Sequence, residues 1–298
     1  AMQLFGNGFH YSARVRISSF CMARLNQYAV SRRASKYLLF LQARICHVFA
    51  SGIKEGAMAR QTQIGIIEAG RPSDAVLETY GDFPKMFAAY FKAAEQFSYK
   101  VYPVAEQNPF PEATACQAWI ITGSPAGVYE DHPWLPPLMD FIRTVISAKV
   151  PMLGICFGHQ VMAQAMGGRV EKSPSGWGLG LHEYVLTETG QKIFPQRLKL
   201  RLPASHQDQV VVPPPQSTVL AYSEFCPYAA LAYGETALSL QPHPEFTDDC
   251  IKLSIAYRRE KALVPERAAA DGLASFTHFR SDAEALESVL ERFLGQAA

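Results

Sequence analysis

The feature that most constrains this chain is an alternation of short apolar runs with amphipathic helical patterns between residues 63 and 166. The runs at 63–67, 99–104, 118–122 and 150–155 are short, rich in Ile, Val and aromatic residues, and bounded by Gly or Pro, so each reads as a buried strand. Between them Asp82 stands where a helix N-cap belongs, ahead of Phe83, Met86, Phe87, Tyr90 and Phe91 on one face. Further helices are predicted over 135–147 and 158–166. Strands separated by helices predict an α/β fold: a doubly wound, mostly parallel sheet with flanking helices on both faces. From Arg169 to Leu240 the texture changes to short alternating runs (181–186, 198–202, 209–212, 218–222, 229–233 and 237–240), which predict a small antiparallel portion added to that sheet. Helices are expected over 246–261 and 282–294, with a linker over 262–280 and the last helix packing back on the domain.

Charge is distributed unevenly. Residues 1–57 carry eight Lys/Arg against the single acid Glu55, leaving 20 basic and 26 acidic residues in 58–298. An acidic body lacks the electrostatic footprint of a nucleic-acid binder. The basic, Ser-rich first 57 residues read as a non-native or miscalled extension, a targeting segment or a helical appendage, and Ala1 ahead of Met2 reads as a cloning remnant. The compact domain is expected over 58–262, followed by a C-terminal linker and helix over 263–298. Six scattered cysteines form no CxxC pair and no Cys/His cluster, so neither metal nor cofactor is expected, and a reducing cytoplasm is the expected compartment. No apolar run reaches the roughly 18 residues of a membrane span.

The candidate chemistry centres on Gly154-Ile155-Cys156-Phe157-Gly158-His159-Gln160. A cysteine between glycines, at the turn from a strand into a helix, has the shape of a nucleophile elbow. That turn lifts the sulfur above the sheet edge and sets it at a helix N-terminus, where thiolate is favoured. The Phe157 N–H then becomes a candidate oxyanion donor. A thiolate nucleophile needs a base, and the base needs an orienter. Gln241-Pro242-His243-Pro244-Glu245 follows the run at 237–240; in extended chain Glu245 lies on the same side as His243 and can hold one ring nitrogen, leaving the other for Cys156. Gly176-Trp177-Gly178 resembles a phosphate loop in composition only, since it does not join a strand to a helix in a βαβ unit. Trp177 is expected to be plain packing, with a place in a loop near the pocket mouth as the other reading.

The Cys156 heptapeptide, the turn Thr122-Gly123-Ser124-Pro125 and the late Pro242-His243-Pro244-Glu245 together resemble the class I (triad) glutamine amidotransferases, with the look of a free-standing member similar to the amidotransferase part of GMP synthetase. The resemblance spans about 62–260 and implies a flavodoxin-like arrangement. It implies that Cys156 attacks the side-chain amide of glutamine, that His243 moves the protons, and that Glu245 orients His243. A glutamyl thioester forms and is hydrolysed to glutamate, with release of ammonia. The Gly123-Ser124 turn would supply the second oxyanion donor, while Gln160, Ser205 and His206 would line the glutamine pocket. Relatives often carry His-Gly-Asp where this chain has His206-Gln207-Asp208.

No G-x-x-x-x-G-K-[ST] nucleotide loop is present, so any synthetase using the ammonia is expected to be a separate chain. Two alternatives stay open. The same residues would serve a γ-glutamyl peptide hydrolase, whose leaving group is an amine other than ammonia. They would also persist in a non-catalytic amidotransferase-like binding protein, although degenerate members normally lose one of the three. An α/β-hydrolase is disfavoured, because its acid precedes its histidine.

Overall fold

The structure, a computed structural model, describes residues 61–91, 94–104 and 109–297. The expected extension over 1–57 lies outside these residues.

The chain opens with β1 (Thr62–Glu68), α1 (Asp74–Tyr80), α2 (Phe83–Tyr90), β2 (Phe97–Pro103), β3 (Ala118–Ile121), α3 (Leu135–Ser147), β4 (Met152–Ile155) and α4 (Phe157–Ala165). A strand-rich stretch follows: β5 (Arg169–Lys172), β6 (Gly178–Leu186), α5 (Glu188–Ile193), β7 (Lys199–His206), β8 (Asp208–Val212), β9 (Ser217–Tyr222), β10 (Ala230–Tyr233) and β11 (Ala237–Leu240). Three helices close the chain: α6 (Asp248–Glu260), α7 (Glu266–His278) and α8 (Ala283–Leu294).

Nine strands form one sheet in the order β2-β1-β3-β4-β11-β10-β9-β6-β7, and β5 pairs with β8 in a separate ribbon. From β2 to β11 the neighbours run parallel; from β11 to β7 they run antiparallel. The parallel centre is explained by its residues. All of β3, β4 and β11 are buried, as apolar runs covered on both faces must be. Alternate residues then feed two cores. Ile64, Ile66, Ile120 and Leu153 join Phe87 and Leu290 on one face, while Ile67, Trp119, Ile121 and Met152 join Leu138, Ile142 and Val161 on the other. The predicted helix over 135–147 is α3, and Asp82 caps α2 by accepting from the Lys85 N–H at 2.9 Å.

Residues 262–280 correct the linker expectation, because most of the stretch is α7. This helix packs on β6 through small residues. The Gly180 and Gly272 backbones approach so closely that a Cβ on Gly180 would lie 2.2 Å from the Gly272 carbonyl oxygen. Ser275 Oγ accepts from the Leu181 N–H at 2.8 Å. Ala269, Gly272, Leu273 and Phe276 recur at helical spacing, but two of these four are small, so the stretch reads as linker. α8 packs on the domain as expected, burying Leu286, Leu290, Phe293 and Leu294. Helices α1 and α5 and strand β5 were not anticipated; each is seven residues or fewer.

β3, β4 and β11 are adjacent and end together: Ile121 pairs with Gly154, and Leu240 pairs with Ile155. The next residues of each strand therefore converge at one point above the sheet edge, where open α/β sheets place their ligands. The close packing there gives the first prediction. A Cβ on Gly158 would lie 2.4 Å from the Ile121 carbonyl oxygen, which is backbone of a central strand and cannot swing aside. Gly158→Ala is expected to cost about 2–3 kcal/mol in urea unfolding, and an unchanged midpoint would contradict the packing.

Candidate active site

Cys156 has φ 54° and ψ −102°, a backbone conformation costly for a residue with a side chain. It is held from both sides. The Cys156 N–H donates to the Leu240 carbonyl at 2.8 Å, and the Gly158 N–H donates to the Thr122 carbonyl at 3.2 Å. The flanking glycines are needed for space, since a Cβ on Gly154 would lie 2.5 Å from Met162 Sδ. The elbow expected from the sequence is thus built by strand ends packing against the first turn of α4. The Phe157 N–H heads that helix and has no acceptor within it.

His243 sits just past the end of β11. Its N–H donates to the Pro203 carbonyl at 2.8 Å, tying the segment to β7. The ring stacks on Phe246 at 4.2 Å between centroids and 7° between planes. Its edge faces Gly123, where a Cβ would lie 3.2 Å from His243 Cε1. His243 Nδ1 lies 2.7 Å from Glu245 Oε1, with both side chains buried. Burial disfavours the imidazolium, but the Glu245 carboxylate and then the Cys156 sulfur outweigh it and raise His243 to about 10. With Nδ1 on Glu245, Nε2 is left for the sulfur. His243 and Glu245, expected as partners, are in contact, and Cys156 lines the same cleft as His243; the stacking on Phe246 was not legible in the sequence.

The Gly123-Ser124 turn follows β3 against the same point. The Ala69 N–H donates to Thr122 Oγ1 at 3.1 Å, and Ser124 Oγ donates to the Ala69 carbonyl at 2.9 Å, so the loop after β1 holds the turn. Gln160 Nε2 donates to the Asp208 carbonyl at 2.8 Å and to Gln241 Oε1 at 3.2 Å. Both amide hydrogens are therefore engaged, and a ligand finds only the Gln160 oxygen. Ser205 and His206 end β7. Gln207, the departure from the common glycine, lies between β7 and β8 and is not among the residues at positive φ. His206 Nδ1 lies 3.0 Å from the Asp208 carbonyl, so Nδ1 carries the proton and Nε2 is an acceptor. Burial, reinforced by His182, holds His206 down at about 3 and keeps it neutral. His206 Nε2 is buried without a hydrogen-bond partner among the described residues.

Two clefts meet at Cys156. One, of about 200 Å³, is lined by Gln160, Ser205, His206, Lys172 and Tyr129. The other, of about 340 Å³, is lined by His243, Gly123, Phe246, Phe83, Val76 and Tyr257. Ser124, Ser205 and Arg258 belong to both. Arg258, on α6, was missed. Its guanidinium lies 5.1 Å from the centre of the Trp177 ring, and its Nε is buried without a hydrogen-bond partner among the described residues. An Arg on the polar side of a helix carries no motif, so only the fold could place it here. Trp177 packs against the core and under Arg258 and also lines the cleft, so it takes the pocket-mouth position rather than being plain packing. Among the described residues, no three His, Cys, Asp or Glu side chains group to hold a metal ion, and no helix is long and apolar enough to cross a membrane.

The family model for glutamine amidotransferase class-I matches residues 75–256. A glutamine amidotransferase-like protein of Schizosaccharomyces pombe is 28% identical over 226 residues, covering 70% of this chain and 90% of its own length. γ-Glutamyl peptidase 3 of Arabidopsis thaliana is 28% identical over 188 residues, 60% of this chain and 75% of the peptidase. The crystal structure of a glutamine amidotransferase from Thermotoga maritima superposes with a TM-score of 0.59 at 22% identity, covering 79% of this chain and 99% of that one, which establishes the shared fold.

Proposed function

Since the chain belongs to the class-I glutamine amidotransferase family, we propose that it hydrolyses the C–N bond of a γ-glutamyl amide through a thioester on Cys156. The observation that carries this reading is the single meeting point of the strained Cys156 turn, the buried His243–Glu245 pair and the Gly123-Ser124 turn. The Cys156 sulfur attacks the γ-carbonyl and a C–S bond forms. The carbonyl oxygen takes the negative charge, facing the N–H groups of Phe157 and of the Gly123-Ser124 turn. As the C–N bond breaks, the His243 imidazolium gives its proton to the departing amine. Water then attacks the thioester, gives a proton to His243, and the sulfur leaves as thiolate. Glu245 holds Nδ1 throughout and stabilises the imidazolium.

With glutamine the departing amine is ammonia, which a separate synthetase subunit would consume. A second reading, a γ-glutamyl peptide hydrolase, is favoured by the cleft beside His243. The leaving amine must lie next to its proton donor, and that cleft measures about 340 Å³. Ammonia, about the size of a water molecule at roughly 30 Å³, would leave it largely empty. The γ-glutamyl peptidases among the relatives point the same way. A peptide leaving group needs no synthetase.

Turnover of glutamine and of γ-glutamyl dipeptides, each with hydroxylamine as a trap, tests both readings. The expected result is γ-glutamyl hydroxamate from both substrates and a higher kcat/KM for the dipeptide; absence of hydroxamate from both would reject the thioester. Of the cations lining the clefts, Arg71, Lys172 and Arg258, it is Arg258 that borders both, and we assign it to the α-carboxylate shared by both substrates. Arg258→Met is expected to raise KM about 10- to 100-fold for each, the size of a lost hydrogen-bonded charge pair, with kcat little changed.

A further inference from the structure

We propose that Gln241 is a catalytic hydrogen-bond donor to the Cys156 sulfur, aimed by a buried amide relay that begins at the main chain of β8. Gln241 immediately follows β11 and has no exposed surface. Its backbone N–H is held by the Ala229 carbonyl at 2.8 Å. Its side-chain Nε2 lies 3.7 Å from Cys156 Sγ, within hydrogen-bonding range for sulfur. Its Oε1 receives Gln160 Nε2, and the same Gln160 nitrogen donates to the Asp208 carbonyl.

An isolated carboxamide could present either end to the sulfur, but this relay has one polarity. The Asp208 carbonyl only accepts, so Gln160 must turn its nitrogen toward it. That nitrogen also faces Gln241, which must answer with its oxygen. The Gln241 amino group is thereby directed at Cys156. One main-chain carbonyl of β8, on the far side of Gln160, sets which end of a second amide meets the sulfur.

A donor at this position acts when the sulfur carries charge. Hydrogen bonds to ionised acceptors are roughly twice as strong as neutral ones. The Gln241 N–H therefore supports the sulfur anion before attack and again when the thioester breaks and the sulfur leaves with its electron pair. It also limits where the sulfur can swing, because the relay is buried along its length. A merely structural Gln241 would satisfy its own amide at a strand end and leave sulfur reactivity unaffected by its removal.

The proposal rests on Cys156 being the reactive sulfur, and it can be read without any substrate. The rate at which iodoacetamide alkylates Cys156, followed by mass spectrometry of its peptide, is compared in the full chain and in Gln241→Met and Gln241→Glu. Both variants keep approximate size. Methionine has no donor; glutamate has none when ionised, which reading the rate at about pH 9 ensures, and it keeps the shape as well, should the first fold poorly. Alkylation is expected to slow about tenfold in each, and kcat of Gln241→Met to fall about tenfold with KM within about twofold. Gln160→Met should slow alkylation less, and the double variant Gln160→Met/Gln241→Met should be no slower than Gln241→Met alone, because the two amides act in series. Alkylation at the parent rate in both Gln241 variants would overturn the proposal, as would additive effects of the two methionine substitutions. An unsubstituted protein that alkylates Cys156 no faster than Cys116 would instead reject the assignment of Cys156 itself.

Discussion

Cys156→Ala is expected to lower hydrolysis of γ-glutamyl amides by at least about 10⁴-fold while the protein stays folded. The loss is this large because the sulfur forms the covalent intermediate, and no neighbouring group can replace it. The clefts, the N–H of Phe157 and the Gly123-Ser124 turn all survive, so substrate should still bind and only its turnover is lost. Folding should survive because the substitution removes one sulfur and keeps the Cβ, and the turn is held by main-chain bonds to Leu240 and Thr122 rather than by the thiol. Cys156→Ser should fail nearly as completely, since a hydroxyl is a far weaker nucleophile than a thiolate. Labelling with 6-diazo-5-oxo-norleucine, a glutamine-like electrophile, checks the same point from the opposite side. Burial pushes the Cys226 and Cys250 thiols up to about 12 and also raises Cys116, so these should stay unlabelled while Cys156 reacts. Activity retained by Cys156→Ala, or label spread over several cysteines, would end the assignment.

What could be read from the chain alone divides along a physical line. The Cys156 turn was legible because a strained turn between packed strand ends admits few residues, so its glycines are written into the sequence at fixed offsets. The His243–Glu245 pair was legible from its spacing but not for the reason expected: the chain is not extended there but turns over 243–246, with the Phe246 N–H donating to the His243 carbonyl at 3.3 Å, and that turn brings the carboxylate back to the ring. The parallel centre was legible because strands buried on both faces are almost wholly apolar, as in β3 and β4; in β11 the one polar residue, Ser239, is hydrogen-bonded to His159. By contrast α7 was missed because it meets β6 through Gly272 and Ser275, where close approach replaces large apolar side chains, and only Leu273 and Phe276 mark its apolar face with bulk. Arg258 and Phe246 act on the site from α6 and from the turn before it, and no local pattern relates either to Cys156. Gln241 was visible in the same segment as His243, but its role depends on Gln160 and Asp208, residues 81 and 33 positions away, so only the fold gives it a direction. The expected substrate contacts of Gln160 narrowed for the same reason: its amide nitrogen is committed to the protein.

Loss of the imidazole should be nearly as severe as loss of the sulfur. His243→Ala removes the group that protonates the leaving amine and activates water, and about a 10⁴-fold loss is expected, whereas Glu245→Gln should cost about 10³-fold because the ring remains. The more discriminating readout is pH. His243 is raised from 6.5 to about 10, against its burial, by Glu245 first and then by Cys156. The imidazolium that donates to the leaving amine is therefore present through neutral pH in the free protein and is lost as pH rises through about 10, so the alkaline limb of kcat/KM should fall there. Folding stability follows the same sign. The folded value exceeds the unfolded one, so the pair's contribution is complete below about pH 6.5 and is lost as pH climbs through about 10. In Glu245→Gln the leading cause of the raised value is gone while burial persists, so the alkaline limb should move to lower pH by more than about one unit. An alkaline limb that stays in place in Glu245→Gln would mean that Glu245 does not stabilise the imidazolium. The 2.7 Å contact between Nδ1 and Oε1 would then be only a packing feature of the segment that joins β11 to α6.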